Sequence, residues 1–367
     1  MKSRCRIGFD ARMIRNTGIG TYIRELLGAY RHLENARSLG VTLFGNREAI
    51  KECSSFTSKP FYSKIYSISE QLEYPFRLQN CELWHAPHYN IPVFKGRTKL
   101  VVTVHDLIHW IFRKDFFNPL QGFYAERMMR HAVESADHII AVSKKTSDDL
   151  IDHFDADPER ITVIHESVSD RFCEVDDRAV QEVRQKYSLP PEFFLYVGSL
   201  KPHKNLLPLI RLFKENRDFR SSLVLVGKKD GRYPSGFEEL AQIKTEGKII
   251  HLENISSEDL IKIYNAALGL VHPSLYEGFG LTLLEAMACG CPVIAARAAS
   301  LPEIAGDGAF LIDPYSPREL ADALLRFESA PTLRDDLRRK GKRQLQRFSW
   351  AQTAYQTSKV YERVLGD

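Results

Sequence analysis

Short apolar segments with the composition of β-strands recur along this chain, and segments with helical patterns lie between them. This alternation is typical of parallel sheets that are covered by helices. A charged stretch that leads to Leu189-Pro-Pro191 separates two groups of such segments. A chain of 367 residues also exceeds the size at which one hydrophobic core keeps growing. We therefore expect an α/β protein with two doubly wound, Rossmann-like domains, over residues 1–170 and 190–348.

The predicted strands place the functional residues. Ligands of doubly wound sheets bind beyond the carboxyl ends of the strands, so the loops that directly follow strands are the expected positions of functional side chains. Where two such domains face each other, the cleft between them is the expected active site. The strands are predicted at 5–10, 41–46, 82–86, 99–106, 138–143 and 161–166, and at 193–198, 222–227, 249–254, 268–272, 292–296 and 309–313.

Composition excludes several classes of protein. No apolar run approaches the roughly 20 residues that span a bilayer, and the amino terminus enters a strand without a signal-peptide core, so we expect a cytoplasmic protein. Six cysteines in so long a chain indicate reduced thiols. A formal charge of +4, with acids and bases interleaved, gives nucleic-acid binding little support. The sequence does not decide whether the protein contacts the inner face of an anionic membrane.

Two carboxylates, Glu277 and Glu285, flank a glycine-bearing loop that opens a predicted helix. The glycines let the backbone approach a ligand, and the unpaired amides of the first helical turn favour an anion there. A pyrophosphate would repel a carboxylate, so the two glutamates are better suited to accept hydrogen bonds from ribose and hexose hydroxyls. This pattern predicts a sugar-nucleotide site. The alternative is a solvated loop residue at Glu277 and an acid favoured in a first helical turn at Glu285.

The segment from Glu277 to Gly290 resembles the donor-site signature of retaining glycosyltransferase family 4, in which seven residues separate two glutamates. Gly-Phe-Gly follows the first glutamate, and Glu-Ala-Met-Ala-x-Gly begins at the second. The resemblance implies a GT-B fold, in which two Rossmann-like domains face each other across a cleft. It also implies an acceptor-side first domain, a second domain that binds the nucleotide sugar, and no cofactor. The donor-site residues that it implies here include Glu277, Gly278, Phe279, Gly280, Leu281, Thr282 and Glu285.

Lys204 lies in the loop after the predicted strand 193–198 and precedes a helical pattern. A lysine in this place can meet a phosphate as a point charge, and the alternative is an ordinary surface lysine. The segment is similar to the family's Gly-x-Leu-x-Pro-Arg-Lys-Asn, whose basic pair binds the donor pyrophosphate. His203 stands where related sequences usually carry arginine, and Ser199 where other branches do, so one expected cation is weakened. Lys201 is a candidate to compensate.

Gly18 and Gly20 follow the first predicted strand and precede a helix that we expect to begin near residue 21. They lack the third glycine of a dinucleotide fingerprint. The family places a glycine loop here too, so the resemblance assigns Gly18 and Gly20 to the donor phosphate. His105 ends another strand, where a histidine can contact a sugar hydroxyl or form a structural hydrogen bond. It resembles the family histidine that lies at the reaction centre.

Four further residues, Glu70, Gln71, His85 and His88, look like the family's acceptor-side elements. Histidine pairs such as His85 with His88, or His105 with His109, lack a convincing third metal ligand. Metal-dependent glycosyltransferases of the other main fold use an Asp-x-Asp after a strand. The Asp-x-Asp of this chain, residues 155–157, precedes a strand and is interpreted as a turn with polar caps. No metal site is predicted.

Two segments near domain edges extend the resemblance. Glu166-Ser-Val-Ser169 stands where the family commonly has Asn-Gly-Val-Asp, a departure that falls at the interdomain edge. The amphipathic pattern near the end of the chain resembles the family's terminal helix, which crosses back to the first domain. We therefore expect residues 349–367 to pack on the first domain. The resemblance covers nearly the whole chain.

The residues and the resemblance together predict a retaining hexosyltransferase, with His105, Glu277 and Lys204 as its catalytic residues. The first candidate donor is GDP-mannose, and rhamnose or glucose donors follow. A growing glycan or a lipid-linked glycan is the acceptor that the resemblance implies. The alternatives are a sugar-nucleotide epimerase of the same architecture and a non-catalytic sugar-nucleotide-binding partner. A phosphorylase would need a pyridoxal lysine motif, which we do not find in the sequence.

Overall fold

The computed structural model describes residues 5–33, 40–53, 55–113, 119–215, 218–228 and 248–366. The chain forms two compact units, one of residues 1–167 with 349–367 and one of residues 168–348. The sequence placed the boundary between residues 170 and 191, so the chain enters the second unit slightly earlier than expected. Helix Asp177–Tyr187 lies in that second unit, where Lys186 binds Asp259 at 2.7 Å and Arg184 donates to the carbonyl of Ala266.

Within the described residues, the sheet of the first unit has seven parallel strands in the order β3-β2-β1-β4-β5-β6-β7. The chain winds outward from β1 in one direction and then, from β4, in the other. The point between β1 and β4 is therefore the topological switch point of this sheet. The strands are β1 (Cys5–Asp10), β2 (Val41–Gly45), β3 (Thr57–Pro60), β4 (Cys81–Ala86), β5 (Lys99–Val104), β6 (His138–Ala141) and β7 (Ile161–Val163).

Helices cover both faces of this sheet because side chains alternate along each strand. In β5, Leu100 and Val102 belong to one buried apolar cluster and Val101 to another. The first cluster continues into Tyr74 of α3 and Leu150 of α6. The helices of this part of the chain are α1 (Ile19–Tyr30), α2 (Arg47–Ile50), α3 (Ile68–Leu78), α4 (Ile108–Ile111), α5 (Pro119–Ser135) and α6 (Lys144–Phe154).

The second unit repeats the architecture with a parallel sheet in the order β10-β9-β8-β11-β12-β13. Its switch point lies between β8 and β11. The strands are β8 (Phe193–Val197), β9 (Ser222–Val226), β10 (Ile249–Leu252), β11 (Gly269–His272), β12 (Val293–Ala296) and β13 (Ala309–Ile312). The helices are α7 (Asp177–Tyr187), α8 (Leu206–Glu215), α9 (Ser257–Ala266), α10 (Leu281–Ala288), α11 (Leu301–Ala305), α12 (Pro317–Ser329) and α13 (Pro331–Leu345).

The last helix, α14 (Trp350–Leu365), returns to the first unit. The hydroxyl of Ser349 caps it by accepting a hydrogen bond from the amide of Gln352. Trp350 and Tyr361 then pack into the same buried cluster as Tyr22 of α1. In the part of the chain that the structure describes, no helix combines the length and the apolar character that crossing a bilayer requires.

Candidate active site

Lys204 and Glu277 follow the two strands that flank the switch point of the second unit. Strands β8 and β11 are paired in parallel, with Gly269 opposite Phe194, so their carboxyl ends meet at one edge of the sheet. Lys204 ends a short 3₁₀ helix, Pro202–Lys204, in the loop after β8. Glu277 lies in the loop between β11 and α10. The sequence predicted both loops as ligand-binding loops, and the fold brings them together.

The two side chains are in direct contact. Nζ of Lys204 lies 2.5 Å from Oε1 of Glu277, and Nε2 of His272 lies 2.9 Å from the same oxygen. Burial alone would disfavour a charged carboxyl group, but Lys204 and His272 outweigh it and hold the pKa of Glu277 well below its ordinary value. Glu277 is therefore an ionised acceptor, and its neighbours fix the position of its carboxylate.

His272 is a site residue that the sequence reasoning missed. It is the last residue of β11, and its ring is buried. Nε2 also lies 3.2 Å from Oγ of Ser274. Because a carboxylate only accepts hydrogen bonds, Nε2 must carry the proton that is shared with Glu277. Its position at a strand end, directly before Pro273 and Ser274, is a signal that could have identified it.

A serine hydroxyl holds the backbone of the loop between Glu277 and α10. Oγ of Ser300 lies 2.9 Å from the carbonyl oxygen of Glu277 and 2.7 Å from that of Phe279. The ring of Phe279 is buried against Phe348, 5.8 Å between centroids. Nothing in the sequence around Ser300 points to this role. The loop that carries the carboxylate is thus tied to the core of the second unit.

Helix α10 begins directly after this loop. Gly280 precedes it with φ of 112°, a conformation that side-chain-bearing residues rarely adopt, and no side chain caps the helix there. Gly278 is buried in the loop, and Leu281 and Thr282 form the half-buried first turn. The first amides of a helix have no partner within the helix, so this end offers hydrogen-bond donors and a positive dipole to an anion.

Glu285 lies one turn further along α10. Its Oε2 accepts a hydrogen bond of 2.9 Å from the hydroxyl of Tyr264. Burial raises the pKa of Glu285 to about 7, against the opposing effects of Tyr264 and Arg171. The two glutamates of the motif therefore differ in charge, because Glu277 is paired with the cation Lys204 and Glu285 accepts from the neutral hydroxyl of Tyr264. A half-protonated group near neutral pH can both donate to and accept from a hydroxyl.

The other residues predicted beside Lys204 are placed differently. The ring of His203 is buried, and its carbonyl oxygen accepts a hydrogen bond from the amide of Leu275. His203 therefore links the loop after β8 to the loop after β11 through its backbone. The carbonyl of Ser199 accepts from the hydroxyl of Tyr196 at 2.9 Å, and its side chain is half-buried. Lys204 is the cation that contacts Glu277.

The glycine segment of the first unit differs from its prediction. Helix α1 begins at Ile19, not near residue 21, so Gly20 lies inside its first turn. A Cβ on Gly20 would lie 2.6 Å from the carbonyl oxygen of Ile14, so close backbone packing requires a glycine here. Gly18 has φ of 65° and precedes the helix, with open space around it. Packing thus explains why residue 20 is a glycine, and the assignment of Gly18 and Gly20 to the donor phosphate stays a prediction.

His105 follows β5 and lies between two hydrogen-bond acceptors. Nδ1 lies 2.8 Å from Oε1 of the buried Glu166, and Nε2 lies 3.2 Å from the carbonyl oxygen of Pro87. Both ring nitrogens of His105 therefore lie within hydrogen-bonding distance of an acceptor, which fixes the orientation of the ring. The ring also packs edge-on against Tyr22. Glu166, where the chain departs from the family pattern, therefore contacts the predicted catalytic histidine.

Glu70 is fully buried, which corrects its expected role at the acceptor side. Its carboxylate lies 2.7 Å from Nη2 of Arg12, accepts from the side-chain amide of Asn90 and from the backbone amide of Tyr66. Arg12 in turn binds Asp10, so the switch point of the first sheet holds a buried ionic cluster. Glu70 therefore organises this region from inside.

Gln71 joins a helix to a loop. Its side-chain amide donates to the carbonyl oxygen of Ile91 at 3.2 Å, and its oxygen accepts from the backbone amide of Val93 at 2.8 Å. The side chain is half-buried on α3. Both polar groups of Gln71 therefore hold the loop after β4, which is the position the structure gives to this predicted acceptor-side residue.

His85 lies in the interior, so an acceptor cannot reach it. Its Nδ1 lies 2.6 Å from the hydroxyl of Tyr361, and its Nε2 lies 2.8 Å from Oγ1 of Thr103. Burial, together with His105, lowers the pKa of His85 to about 3, so the ring is neutral. His88 is half-buried beside the hydroxyl of Tyr66, at 3.2 Å, and it is the histidine of this pair nearer the surface.

The Asp-x-Asp segment forms caps, as the sequence indicated. Asp155 ends α6 in the left-handed conformation, and the carboxylate of Asp157 accepts from the amide of Glu159 at the start of the next 3₁₀ helix. Among the described residues, no group of three or more His, Cys, Asp or Glu side chains could hold a metal ion.

Comparison with solved structures defines the class of the fold. HepE of Anabaena, solved in complex with UDP and glucose, superposes with a TM-score of 0.79 at 20% sequence identity, covering 98% of this chain and 100% of that chain. WaaG, a glycosyltransferase involved in lipopolysaccharide biosynthesis, gives a TM-score of 0.71 at 17% identity over 98% of this chain and 100% of that chain. The protein has the GT-B fold, as predicted.

Sequence comparison then gives the family. The model described as Glycosyltransferase Family 4 matches residues 17–172, and the model described as Glycosyl transferases group 1 matches residues 179–344. O-antigen chain mannosyltransferase B of Escherichia coli is 30% identical over 76% of this chain and 74% of its own length. The protein belongs to glycosyltransferase family 4.

Other relatives carry different names. D-inositol 3-phosphate glycosyltransferase of Corynebacterium glutamicum is 31% identical over 74% of this chain and 68% of its own length. The serotype-specific mannosyltransferase WbdA of Escherichia coli is 28% identical over 77% of this chain, which spans 36% of the length of WbdA. The family therefore includes relatives named for different acceptors.

Proposed function

We propose that this protein is a retaining glycosyltransferase that transfers a hexose from a nucleoside diphosphate sugar to a hydroxyl group of a glycan or lipid-linked acceptor. The observation that carries the proposal is the contact of Lys204 and His272 with Glu277 at the switch point of the second sheet. This edge is where ligands of doubly wound sheets bind. It combines a cation, an ionised acceptor and a helix amino terminus, which match phosphates and sugar hydroxyls.

Binding of the donor would change the partner of Lys204. A pyrophosphate carries more charge than one carboxylate, so the ammonium group would move from Glu277 to the phosphates. His272 would keep the carboxylate in place, and Glu277 would then accept from hydroxyls of the hexose. Lys204 and the amides at the start of α10 would stabilise the charge that develops on the leaving phosphate. In this proposal Glu285 binds the ribose, and His105 contacts the hexose near the reacting carbon.

Retention follows from the roles given to the acidic groups. An inverting enzyme needs a base opposite the leaving group, and the carboxylates of this site are already assigned to donor hydroxyls. We propose that the leaving phosphate oxygen takes the proton of the acceptor hydroxyl, which requires attack from the same face. The proton NMR signal of the anomeric position should show an alpha-linked product from an alpha-linked donor. A beta-linked product would contradict the mechanism.

Mannose from GDP-mannose is the first candidate donor, supported by the relatives named as mannosyltransferases. A second candidate function is transfer to a phosphorylated inositol, supported by the relatives that are named for it. Transfer to a glycan and transfer to a phosphorylated inositol differ in the acceptor. One assay with inositol phosphate as the acceptor therefore separates these two functions. Transfer to inositol phosphate would favour the second candidate.

The experiment that tests the proposal is donor hydrolysis by the purified protein. Each of several nucleotide sugars, including GDP-mannose, UDP-glucose and a rhamnose donor, is incubated without an acceptor, and released nucleoside diphosphate is measured. We expect slow hydrolysis of one donor and its loss in Glu277→Gln. A protein that binds a donor but turns over none of the donors, with or without an added acceptor, would favour a non-catalytic sugar-nucleotide-binding partner. Interconversion of the sugar would favour an epimerase.

A further inference from the structure

Large apolar side chains are exposed on one side of the first unit. Within the described residues, most of the exposed large hydrophobic side chains lie between residues 62 and 124, while the second unit contributes Tyr315 and α14 contributes Tyr355. Surfaces of this kind mark contact sites, since scattered exposed apolar residues are ordinary but contiguous ones are not. We name this surface the apolar face, which consists of Tyr62, Tyr66, Ile68, Leu72, Phe76, Val93, Phe94, Phe123 and Tyr124.

Helix α3 turns a complete apolar stripe outward. Ile68, Leu72 and Phe76 are spaced by four residues, and their exposed fractions are 84%, 68% and 68%. The opposite side of the same helix carries the buried Tyr74 and Leu78. A helix on the surface of a globular protein normally presents polar residues to water. Here three large apolar side chains occupy the outer side instead, so this side is suited to a partner.

The loop after β4 adds two exposed apolar residues, Val93 and Phe94, at a fixed position. Gln71 of α3 holds one side of this loop through its two hydrogen bonds to residues 91 and 93. On the other side, Nε2 of His131 in α5 lies 3.1 Å from the carbonyl oxygen of Pro92. These contacts place the loop between α3 and α5. The exposed side chains therefore belong to an anchored segment.

The apolar face extends onto α5. The rings of Tyr66 and Tyr124 lie 6.5 Å apart, edge to face, which joins the segment before α3 to the first turns of α5. Phe123 is exposed beside Tyr124. The hydroxyl of Tyr66 meets His88 at 3.2 Å. Tyrosine has an apolar ring and a polar tip, which suits the boundary between lipid chains and water.

The charges around the apolar face are mainly positive. Residues 57–99 contain six Lys and Arg residues and three Asp and Glu residues, a difference of +3, and Asp137 outside this range pairs with Lys95 and Lys99. One of the acids, Glu70, is buried against Arg12, so it adds no negative charge to the surface. Lys64 and Arg97 are exposed. This charge complements an anionic surface, and it distinguishes the apolar face from a purely hydrophobic one.

We propose that the apolar face docks on an anionic lipid bilayer, with α3 lying in the plane of the interface. An interfacial helix combines an apolar side that enters the headgroup region with basic residues that contact anionic lipids. Ile68, Leu72 and Phe76 are the inserting residues of α3, and Val93 and Phe94 insert beside them. Arg97 and Lys64 bind lipid phosphates. The proposal is independent of the donor site, which lies in the second unit.

Flotation with vesicles tests the proposal. The full chain is mixed with phosphatidylcholine vesicles that contain either no anionic lipid or about 30% phosphatidylglycerol. We expect the protein to float with the anionic vesicles and to bind neutral vesicles at least about tenfold more weakly. The variant Leu72→Gln/Phe76→Gln/Phe94→Gln should lose this binding. The matched control, Tyr315→Gln/Tyr355→Gln, changes exposed apolar residues elsewhere and should bind as the wild type does.

Two further measurements keep the test decisive. Lys64→Glu/Arg97→Glu should weaken binding to anionic vesicles and leave binding to neutral vesicles unchanged. Phe94→Gln alone, a single loop substitution, replaces the triple variant if thermal melting shows that the latter does not fold. Anionic-vesicle binding that is unchanged in the apolar variants would overturn the proposal. So would a wild-type protein that binds no vesicles but forms a dimer that the triple variant abolishes, because a second copy would then cover the apolar face.

Discussion

Lys204 and Glu277 form an ion pair, 2.5 Å between Nζ and Oε1, in which each partner is mostly buried. The cation that we assign to the donor phosphates is therefore paired with the carboxylate that we assign to the donor sugar. A phosphate that binds Lys204 must break this pair, and the carboxylate that it releases still has His272. Lys204 and Glu277 should thus be separable by measuring nucleotide binding and sugar transfer independently.

Substitution of Lys204 by alanine should weaken the binding of the nucleoside diphosphate by about 1.5–3 kcal/mol, the range for a charge-assisted hydrogen bond. Titration calorimetry measures this change. Glu277→Gln is the matched variant, because it removes the carboxylate that competes for Lys204. It should keep or strengthen nucleoside diphosphate binding and lower the rate of transfer. Equal affinity of the wild type and Lys204→Ala would remove Lys204 from the site.

Replacement of His272 by phenylalanine should lower turnover by about tenfold to a hundredfold, which corresponds to the loss of one hydrogen bond to a charged group. Nucleoside diphosphate affinity should stay unchanged, because His272 contacts Glu277 and not the phosphates in our proposal. His272→Gln retains a donor and should recover part of the activity. Equal turnover of His272→Phe and His272→Gln would show that His272 does not act through its hydrogen bond.

The pH dependence of stability should report on Glu285. In the folded protein the pKa of Glu285 is about 7, above its ordinary value of 4.5. Between these two pH values, the folded protein therefore binds a proton at Glu285 that the unfolded protein does not bind. The stabilisation is fully present below pH 4.5 and is lost as the pH rises through 7. Glu285→Gln mimics the protonated acid. Its unfolding free energy relative to the wild type should therefore rise by up to about 3 kcal/mol between about pH 4.5 and 8. A constant difference across this range, in denaturant titrations, would contradict the shift.

Tyr361→Phe should destabilise the first unit by about 1–3 kcal/mol, because it leaves Nδ1 of His85 without its partner in the interior. Tyr355→Phe on the exposed side of the same helix is the matched control and should change the unfolding free energy little. Denaturant-induced unfolding measures both. Equal effects of the two substitutions would mean that the buried hydrogen bond does not stabilise the protein.

A chelator should leave turnover largely intact. The prediction rests on Lys204 and the amides at the start of α10, which we assign to the leaving diphosphate, and on an Asp-x-Asp whose aspartates cap secondary structure. The rate of donor hydrolysis is measured with and without excess chelator, and magnesium or manganese is then added back. Activity that disappears with chelator and returns only with the metal would mean that the leaving group depends on an ion.

Of the described strands, β3 at one edge of the first sheet was not predicted from the sequence, whereas the other strands were. Strand β1 has the predicted limits, and helix α10 spans the predicted residues 281–288, because both are largely apolar and Gly290 and Pro292 mark the end of the helix. Strand β3, residues 57–60, was not predicted. Its sequence, Thr-Ser-Lys-Pro, has no apolar pattern, because an edge strand with half-exposed side chains contributes little to the core.

The candidate site was predictable in part for a similar reason. Lys204 and Glu277 follow strands, and strand order brings the carboxyl ends of β8 and β11 together. The partners that come from distant parts of the chain, such as Ser300 for the loop backbone, left no local signal. For His85 the prediction was wrong. Its position in the motif suggested a ligand contact, but the side chain is buried against Tyr361 of α14, which lies far along the chain.

The return of α14 makes the second unit an insertion within the first. The backbone therefore passes between the units twice, at residues 167–168 and 348–349. A protease that cuts at 348–349 leaves the units joined through the other passage. A cut at 167–168 leaves α14 attached to the second unit but packed in the core of the first, around Tyr361 and His85. The first nick therefore cannot separate the two units, and the second separates them only if a buried helix is extracted.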